Sequence, residues 1–344
     1  MRIGLVRRGF SSAGGAESYL RGFAQAAVAA GHETVLFCSP EWSGWEYGEM
    51  IHVAGRSPAA FSDRLAAARP KDKCDVLFSL ERVAECDFYR AGDGVHAAWL
   101  KRRSASAFRR LGFALNPKHR ALLRLEKQAM SGGRCVIANS RMVAQEIAEH
   151  HGGNVRVEVV YNGIDIQKWI TPSEPREVLR ERLELKASDR VAVFVGSGWE
   201  RKGLRASIEA TRLAGCLLLV SGRGEPSSYR APHVRFLGPT SQVVDVLHTA
   251  DAFILATVYD PFSNATVEAL AAGLPIITTT ANGVSEILDP LTDGTAVADP
   301  TDAPALAAAL NHWLPDRQRD LRQEHASQFT LERNFSETLR IIES

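Results

Sequence analysis

The sequence predicts an α/β protein of two domains, each built on a mostly parallel, doubly wound sheet. Short apolar runs typical of buried strands alternate with amphipathic stretches of helical period along most of the chain. Glycine-rich loops join several of these runs to the helices that follow them. A length of 344 residues suits two domains of ordinary size, and 45% hydrophobic with 24% charged residues is a globular composition.

The charge, the cysteine content and the length of the apolar runs argue against nucleic-acid-binding, secreted and membrane-spanning proteins. A net charge of +1 gives no overall field that would favour nucleic acid. The five cysteines form no C-x-x-C pair and fall mostly in strand-like runs, so we expect reduced, buried thiols in a cytoplasmic protein. The first strand runs straight into a loop, unlike a signal peptide, and no stretch approaches the ~20 apolar residues of a membrane span. Without an Asp-x-Asp pair we expect neither a metal nor a cofactor.

Strands and helices are expected to alternate through the first half of the chain. The apolar runs predict strands at residues 3–7, 34–38, 50–53, 75–80 and 135–138. The amphipathic stretches predict helices at residues 16–30, 57–68 and 142–150. Because strands separated by helices pair in parallel, this half should form one sheet covered on both faces.

Two loops of this half carry residues suited to ligands. Gly14 and Gly15 precede a helix, where glycine lets the backbone approach a ligand and the helix N-terminus offers free N–H groups. A plain turn is the alternative, and the absence of G-x-G-x-x-G disfavours a dinucleotide-binding dehydrogenase. Residues 90–99 contain Asp93, His96 and two glycines. The end of a buried strand does not require such residues, so Asp93 and His96 are candidate site residues. The alternative is that Asp93 caps a helix and His96 lies on the surface.

A basic segment follows, with no acid between residues 97 and 125. Aromatic and aliphatic residues interleave its cations, which suits an anionic membrane surface, and each cation near such a surface contributes roughly 1 kcal/mol. The same groups could bind phosphates of a ligand, and a solvated helix face is the third reading. The basic residues are Lys101, Arg102, Arg103, Arg109, Arg110, Lys118, Arg120 and Arg124.

The domain boundary is expected between residues 162 and 175, where an Asn-Gly turn precedes a proline-containing linker. We predict a first domain over residues 1–165, a second over residues 166–328 and a last helix within residues 329–344. Strands of the second domain are expected at residues 191–195, 217–220, 234–238, 252–256, 274–278 and 295–297. Its helices are expected at residues 177–185, 242–250, 285–288, 303–314 and 316–328, with one more beginning at residue 204.

The loop of residues 196–203, called the anion loop below, combines glycines with two adjacent cations. Gly198 lies within it, and Arg201 and Lys202 precede the helix that begins at residue 204. Side-chain cations can stabilise a diphosphate leaving group without a metal. Two opposite unit charges 4 Å apart attract each other by roughly 4 kcal/mol at an effective dielectric constant of 20. A solvated turn is the alternative.

A second loop, called the acid loop below, carries two carboxylates after the strand of residues 252–256. Asp260 lies in the loop, Ser263 or Asn264 can cap the next helix, and Glu268 lies one turn inside it. Open α/β sheets bind ligands at the carboxyl ends of their strands, and one carboxylate can accept from two adjacent hydroxyls. An ordinary surface acid on a helix is the alternative.

The acid loop resembles the signature of the retaining glycosyltransferases of family 4, whose GT-B fold has two Rossmann-like domains facing a cleft. The pattern of two acids seven residues apart, then Gly and Pro, is matched by Asp260, Glu268, Gly273 and Pro275. Asp260 replaces the usual Glu and Ser263 the usual Gly. The resemblance implies that Asp260 contacts the donor sugar, that Glu268 contacts the ribose, and that the last helix crosses back to the first domain.

The resemblance also implies roles for the other candidates. Arg201 and Lys202 would bind the donor diphosphate, and Asp93 and His96 would orient the acceptor hydroxyl or the donor sugar. Further donor contacts would come from Gly14, Gly15, Gly198, Arg223, Asn264 and Ala265.

The implied function is a retaining, metal-independent transfer of a hexose from a nucleotide diphosphate sugar, best represented by UDP-glucose. The acceptor would be a glycolipid or a lipopolysaccharide-type molecule, and the protein would be peripheral on the inner face of the cytoplasmic membrane. Three alternatives stay open: a GT-B nucleotide-sugar epimerase, a non-catalytic nucleotide- or lipid-binding relative, and a transferase acting on soluble acceptors.

Overall fold

The computed structural model describes residues 1–9, 15–103, 112–113, 115–314 and 318–344. These residues form two compact units, one of Met1–Tyr161 with Leu331–Ser344 and the other of Asn162–Thr330. Each unit contains its own parallel sheet. The candidate residues Gly14, Arg109 and Arg110 lie outside the described residues.

The first unit contains a seven-stranded sheet in the order β3-β2-β1-β4-β5-β6-β7. Every neighbouring pair in it is parallel. Strand order reverses between β1 and β4, which makes the sheet doubly wound. The strands are β1 (Arg2–Arg7), β2 (Glu33–Cys38), β3 (Glu49–His52), β4 (Val76–Ser79), β5 (Phe88–Arg90), β6 (Cys135–Ala138) and β7 (Val157–Val159).

Helices cover both faces of this sheet. One apolar cluster joins Leu20 and Phe23 to Leu5, and the other joins Phe61 and Ile147 to strand residues that point to the opposite face. The burial of alternate strand residues on the two faces is what a parallel sheet between helical layers requires. The helices are α1 (Gly15–Ala29), α2 (Pro58–Ala67), α3 (His96–Arg103), α4 (Pro117–Ser131), α5 (Arg141–His151) and, at the end of the chain, α13 (Leu331–Glu343).

The last helix packs against α1 within the first unit. The Phe335 ring lies 5.4 Å from the Tyr19 ring and 6.2 Å from the Phe23 ring, both edge-on. A Cβ at Gly22 would come within 2.8 Å of Phe335, so glycine leaves the space that this ring fills. Asn334 also donates to the Tyr161 carbonyl at 2.6 Å. The amphipathic face of the last helix is therefore buried against the first helix of the chain.

The second unit contains a six-stranded sheet in the order β10-β9-β8-β11-β12-β13, again parallel throughout. Its strands are β8 (Val191–Val195), β9 (Leu217–Ser221), β10 (Val234–Gly238), β11 (Ala252–Leu255), β12 (Ile276–Thr279) and β13 (Gly294–Val297). Its helices are α6 (Ile166–Ile170), α7 (Arg176–Arg182), α8 (Leu204–Ala214), α9 (Val243–Thr249), α10 (Asn264–Ala271), α11 (Ala303–Trp313) and α12 (Arg319–Ala326). The two parallel sheets confirm the predicted fold class.

The structure adds elements that the sequence pattern did not indicate. Strands β5 and β7 have only three residues each, too few to show a period, and the short helix α6 lies in the stretch expected to form the boundary. The segment of residues 285–288, expected to be helical, is a 3₁₀ turn at Gly283–Glu286. Ser173, within the expected linker, donates to Asp245 and belongs to the second unit.

Candidate active site

The anion loop connects β8 to α8 and packs tightly against the end of β11. Gly203 has φ +73°, and a Cβ there would lie 1.7 Å from the Ala256 carbonyl oxygen. Gly222, at the end of β9, would place a Cβ 2.1 Å from the Gly196 carbonyl oxygen. These two glycines allow the loops at the carboxyl ends of three neighbouring strands to meet at one edge of the sheet.

The two cations of the anion loop converge on the first acid of the acid loop. Lys202 Nζ pairs with Asp260 Oδ2, and Arg201 Nη1 lies 3.8 Å from the same oxygen. Arg201 also donates to the Tyr259 carbonyl at 2.8 Å. Asp260 is 6% exposed, so this ion pair is largely shielded from water. The structure therefore brings together the residues predicted to bind the donor phosphates and the donor sugar.

Asn282, which was not among the predicted site residues, holds the acid loop in place. It is fully buried, and its amide donates to Thr266 Oγ1 at 3.1 Å and Thr278 Oγ1 at 3.0 Å. The amide oxygen of Asn282 accepts from the backbone N–H of Ser263 at 3.3 Å. The Asp260 backbone bonds on either side of it, to Ala281 and Gly283. The Asn-Gly pair after β12 was the available sequence signal, although it indicates only a turn.

Glu268 lies half-buried in α10, near two cations. Burial raises the pKa of this carboxyl to about 7, and the positive charges of Lys168 and Lys202 oppose the rise. Lys168 comes from the short helix α6, which contacts α10. It was missed because its stretch was predicted to be the domain boundary. At neutral pH Glu268 is therefore poised between its acid and carboxylate forms.

The start of α10 differs from the predicted cap. Ser263 occupies the N-cap position, but its hydroxyl makes no capping bond, and the buried Ser263 Oγ has no partner among the described residues. Asn264 is exposed and accepts from the Asn162 amide at 2.8 Å, while Ala265 is half-buried. The side chains of Ser263 and Asn264 are therefore not used to stabilise the helix start.

Gly198 lies in the anion loop, and Arg223 lies in the loop that follows β9. Both are exposed, and the Arg223 N–H donates to Ser197 Oγ at 3.1 Å. Beside them Trp199 is buried and lies 5.4 Å from the Phe236 ring. A Cβ at Gly224 would lie 2.5 Å from the Trp199 ring, so glycine lets this loop pass close to the indole.

In the first unit, Asp93 and His96 lie on the turn that leads from β5 into α3. The Asp93 side chain is 79% exposed and comes within 3.9 Å of Arg82. His96 Nε2 lies 3.0 Å from His119 Nδ1. Burial, followed by the Arg82 charge, lowers the pKa of His96 to about 4, so the ring is neutral at physiological pH. The N-terminus of α3 is capped by Glu126, a residue of α4, and not by Asp93.

Gly15 and a nearby charge cluster lie at the carboxyl end of β1. Gly15 is exposed and begins α1. Arg7, the last residue of β1, pairs with Glu17 at 3.3 Å and Glu81 at 3.1 Å. The sequence analysis missed this cluster, because it is assembled from three separate elements.

The described basic residues lie on α3 and α4. Arg102 donates to the buried Glu146 at 2.8 Å, and the Arg103 guanidinium lies 5.7 Å from the centre of the Trp99 ring. The others are exposed: Lys101 at the end of α3, and three on α4, Lys118, Arg120 and Arg124. Leu115, 69% exposed, lies just before α4.

Two further findings concern membranes and metals. Among the helices of the described residues, none combines the length and apolarity that crossing a bilayer requires. Within the same part of the chain, no group of three or more His, Cys, Asp or Glu side chains is placed to hold a metal ion.

Family models match both halves of the chain. Residues 13–168 match the model described as Glycosyltransferase Family 4, and residues 189–316 match the one described as Glycosyl transferases group 1. With two Rossmann-like parallel-sheet units and this site, the protein is a glycosyltransferase of the GT-B fold and belongs to the family 4 type. This confirms the family expected from the acid loop.

Individual relatives are consistent with this assignment. A "probable transglycosylase" of Burkholderia thailandensis is 28% identical over 335 residues, covering 94% of this chain and 88% of its own. The crystal structure of WaaG, a glycosyltransferase involved in lipopolysaccharide biosynthesis, superposes with a TM-score of 0.75 at 21% identity, covering 98% of this chain and 95% of its own. Anabaena HepE, solved with UDP and glucose, gives a TM-score of 0.74 at 18% identity and covers both chains fully, at 100% each.

Proposed function

We propose that this glycosyltransferase is a retaining, metal-independent enzyme that transfers a hexose from a nucleotide diphosphate sugar to a glycolipid or lipopolysaccharide-type acceptor. UDP-glucose is the preferred candidate donor. The observation that carries the proposal is the convergence of Arg201 and Lys202 on Asp260, with Glu268 in the helix that follows. This arrangement provides cations for a diphosphate and carboxylates for sugar hydroxyls at the carboxyl ends of parallel strands.

The cations would stabilise the leaving group. Before the donor binds, Lys202 and Arg201 are held by the Asp260 carboxylate, which keeps them in position without a metal. When the bond between the sugar and the phosphate breaks, negative charge grows on the diphosphate. A preorganised cation near that charge stabilises the transition state more than the ground state, which lowers the barrier.

The carboxylates would hold the sugar and the ribose. Asp260 presents one oxygen to the cations and can accept sugar hydroxyls with the other. Glu268 would accept from the two ribose hydroxyls, and this requires its carboxylate form. Since its pKa is about 7, we expect donor affinity to weaken as the pH falls below 7.

Retention of configuration would follow from attack on the face that the leaving group vacates. In that step the bond from C1 to the phosphate oxygen breaks, and the bond from C1 to the acceptor oxygen forms. The acceptor proton passes to the departing phosphate oxygen, so no protein base is needed. Neutral His96, with Asp93 nearby, would orient a hydroxyl of the acceptor or of the donor sugar.

Relatives support the donor and acceptor classes. HepE was solved with UDP and glucose, which supports a UDP-linked hexose as donor. WaaG acts in lipopolysaccharide biosynthesis, which supports a lipid-linked acceptor. The exposed cations on α4 beside Leu115 suit an anionic surface of that kind, and a cytoplasmic, membrane-peripheral enzyme fits these features.

The decisive experiment measures nucleotide release and product configuration. The enzyme is incubated with UDP-glucose, other sugar nucleotides and a lipopolysaccharide core acceptor, and the anomeric proton of the product is followed by NMR. We expect UDP release that depends on the acceptor and an axial glycosidic bond, as in the donor. UDP release without any acceptor would support an epimerase instead, and UDP binding without release from any sugar nucleotide would support a non-catalytic protein.

A further inference from the structure

We propose that Glu126 is a positioning residue that fixes the backbone and the ring of His96. The inference rests on the role of His96 given under Proposed function. Glu126 lies on α4, thirty positions after His96 in the sequence, and its side chain is fully buried. It was not a candidate on sequence grounds, because α4 appeared only as part of a basic segment.

Glu126 is a buried carboxylate with partners on both oxygens. Arg82 Nε donates to it at 3.0 Å, and His151 Nε2 lies 3.3 Å from the other oxygen. Burial alone would favour the neutral acid, but the hydrogen bond from His151 and the Arg82 charge hold the pKa of Glu126 below its usual range. The group is therefore ionised in the folded protein.

This carboxylate caps α3 from a different helix. It accepts from the backbone N–H of His96 at 2.6 Å and from that of Ala97 at 3.2 Å. Residues just before a helix usually cap it through their own side chains, but here Asp93 is exposed and the buried charge comes from α4. A negative charge at a helix start is favourable, and its placement fixes where His96 begins the helix.

Neighbouring bonds hold the rest of the turn. Arg82, besides binding Glu126, donates from Nη2 to the Gly94 carbonyl at 2.8 Å. Asn139 donates to the Gly92 carbonyl at 3.1 Å. Gly92, Gly94 and His96 are thus each tied to a different element, so the turn has little freedom to move.

The His96 ring is held as well. Its Nε2 atom shares one hydrogen bond with His119 Nδ1, since burial lowers the pKa of both histidines and leaves them neutral. With that nitrogen engaged, Nδ1 is the ring atom left for a substrate hydroxyl. Backbone and ring are therefore both oriented before a substrate arrives.

Stability alone gives a weak reason to bury this carboxylate. A buried ion pair is often no more stabilising than apolar residues of the same volume, because both charges lose their water. Small displacements near a reacting centre, by contrast, can lower turnover by two orders of magnitude. The hydrogen bonds around Glu126 are therefore better explained by the orientation of His96 than by stability.

The test is a double-mutant cycle on turnover, with the Kd for UDP measured beside it. We expect Glu126→Gln and His96→Asn each to lower kcat by about 10- to 100-fold and to leave the Kd for UDP within twofold. The kcat of the double variant should lie no more than twofold below that of the less active single variant, because both changes remove the same function. Glu126→Asp, which keeps the charge, serves if Glu126→Gln does not fold, and a similar loss in kcat is expected.

Asp87→Asn is the matched control. Asp87 is also a buried carboxylate of the first unit, and it accepts from the Leu77 N–H at 2.8 Å and from Lys71 at 3.4 Å. This variant should lower the melting temperature and leave kcat within twofold. A double variant whose loss is the product of the single losses, or normal turnover after Glu126→Gln, would overturn the positioning role alone. Normal turnover after His96→Asn would overturn the proposed role of His96 as well.

Discussion

Lys202 is paired with Asp260 at the proposed phosphate site. Asp260 is a methylene shorter than the Glu that is usual in the family, and its carboxylate lies against Lys202 within the second unit. The lysine is thereby oriented without a phosphate present. The unused hydroxyl of Ser263 lies in the same loop, where the family has no side chain.

Replacing Lys202 should reduce catalysis far more than replacing a nearby cation. For Lys202→Ala we expect kcat/KM for the donor to fall by roughly 10²–10³-fold, as for loss of one charge-stabilising group. Arg205→Ala is the control, since Arg205 lies two residues into α8 and stacks over Tyr229 at 5.1 Å. Initial rates of UDP release measure both. A loss of equal size in the two variants would contradict a specific role for Lys202.

Glu268 should make stability depend on pH in a defined direction. Its pKa is about 7 in the folded protein, against an ordinary value of 4.5, so between these pH values the folded state retains a proton that the unfolded chain has lost. Stability attributable to Glu268 therefore decreases as the pH rises from 4.5 to 7 and stays reduced above 7. Glu268→Gln should gain stability relative to the parent between pH 5 and pH 8, as measured by urea unfolding.

Glu268→Gln should also lower the affinity for the donor, because a Gln side chain cannot accept from two ribose hydroxyls as a carboxylate does. Glu200→Gln, which alters an exposed acid of the anion loop, is the control and should follow the parent's unfolding at every pH. If Glu268→Gln is less stable than the parent at pH 8, the buried carboxylate of Glu268 does not destabilise the fold and the prediction is wrong.

At the scale of elements, the last helix completes the core of the first unit. Phe335→Ala should destabilise this unit by about 3 kcal/mol, the usual cost of removing a buried aromatic ring, because it empties the space beside Gly22. Ser336→Ala, an exposed change on the same helix, should alter stability by less than about 0.5 kcal/mol. Guanidinium unfolding followed by circular dichroism measures both, and equal midpoints for the two variants would contradict the packing role.

The helix α4 gives a sharp test of membrane binding. Reversing its exposed charges, Lys118, Arg120 and Arg124, to Glu should remove most of the protein from vesicles containing anionic lipid in a flotation assay. Each charge near such a surface is worth roughly 1 kcal/mol, so losing three attractive charges and adding three repulsive ones predicts a loss of at least about 10²-fold in partitioning.

The control for this assay reverses three exposed cations of the second unit: Lys186, Arg205 and Arg230. These changes should leave vesicle recovery near that of the parent. Equal recovery of the parent from anionic and neutral vesicles would reject the membrane interaction. Arg102 is left unchanged because its ion pair with Glu146 holds α3 to α5.

Length helped the prediction of elements but did not ensure it, because α4, 15 residues long, was interpreted only as part of a basic segment. The helix α1 and the strand β8 fall within one residue of their expected bounds. By contrast β5 is three residues long and is recognisable only from its pairing with β4 and β6. Its last residue, Arg90, is charged and Asp87 precedes it, so only two apolar residues mark the strand in the sequence.

At the scale of the whole molecule, the candidate site residues divide between the two units. Arg201, Lys202, Asp260 and Glu268 could be selected as candidates from the sequence, because the motif residues fall close together along the chain or recur at fixed spacing. Glu126 and Asn282 could not, since they act through contacts thirty and nineteen positions away. Positioning residues of this kind depend on tertiary packing, and a single sequence gives no measure of it.

Binding of UDP should therefore be visible mainly in the second unit. In hydrogen exchange followed by mass spectrometry, added UDP should slow exchange in peptides covering residues 196–203 and 260–268, because a ligand that binds only the folded state suppresses local opening. Lys202→Ala should weaken this protection at the same UDP concentration. Protection confined to peptides of residues 76–103, in the first unit, would contradict binding of the nucleotide by the second unit.

All five cysteines of the chain are buried, and burial raises the pKa of each thiol, to about 12 for Cys38 and Cys86 and about 11 for Cys74 and Cys216. The thiolate is the form that reacts, so alkylating dyes should find the native protein almost inert at pH 7. A single cysteine introduced on an exposed turn, for example in place of Ser197, would then be the fast-reacting thiol. Fluorophores for distance measurements between the two units could be attached without first removing the natural cysteines.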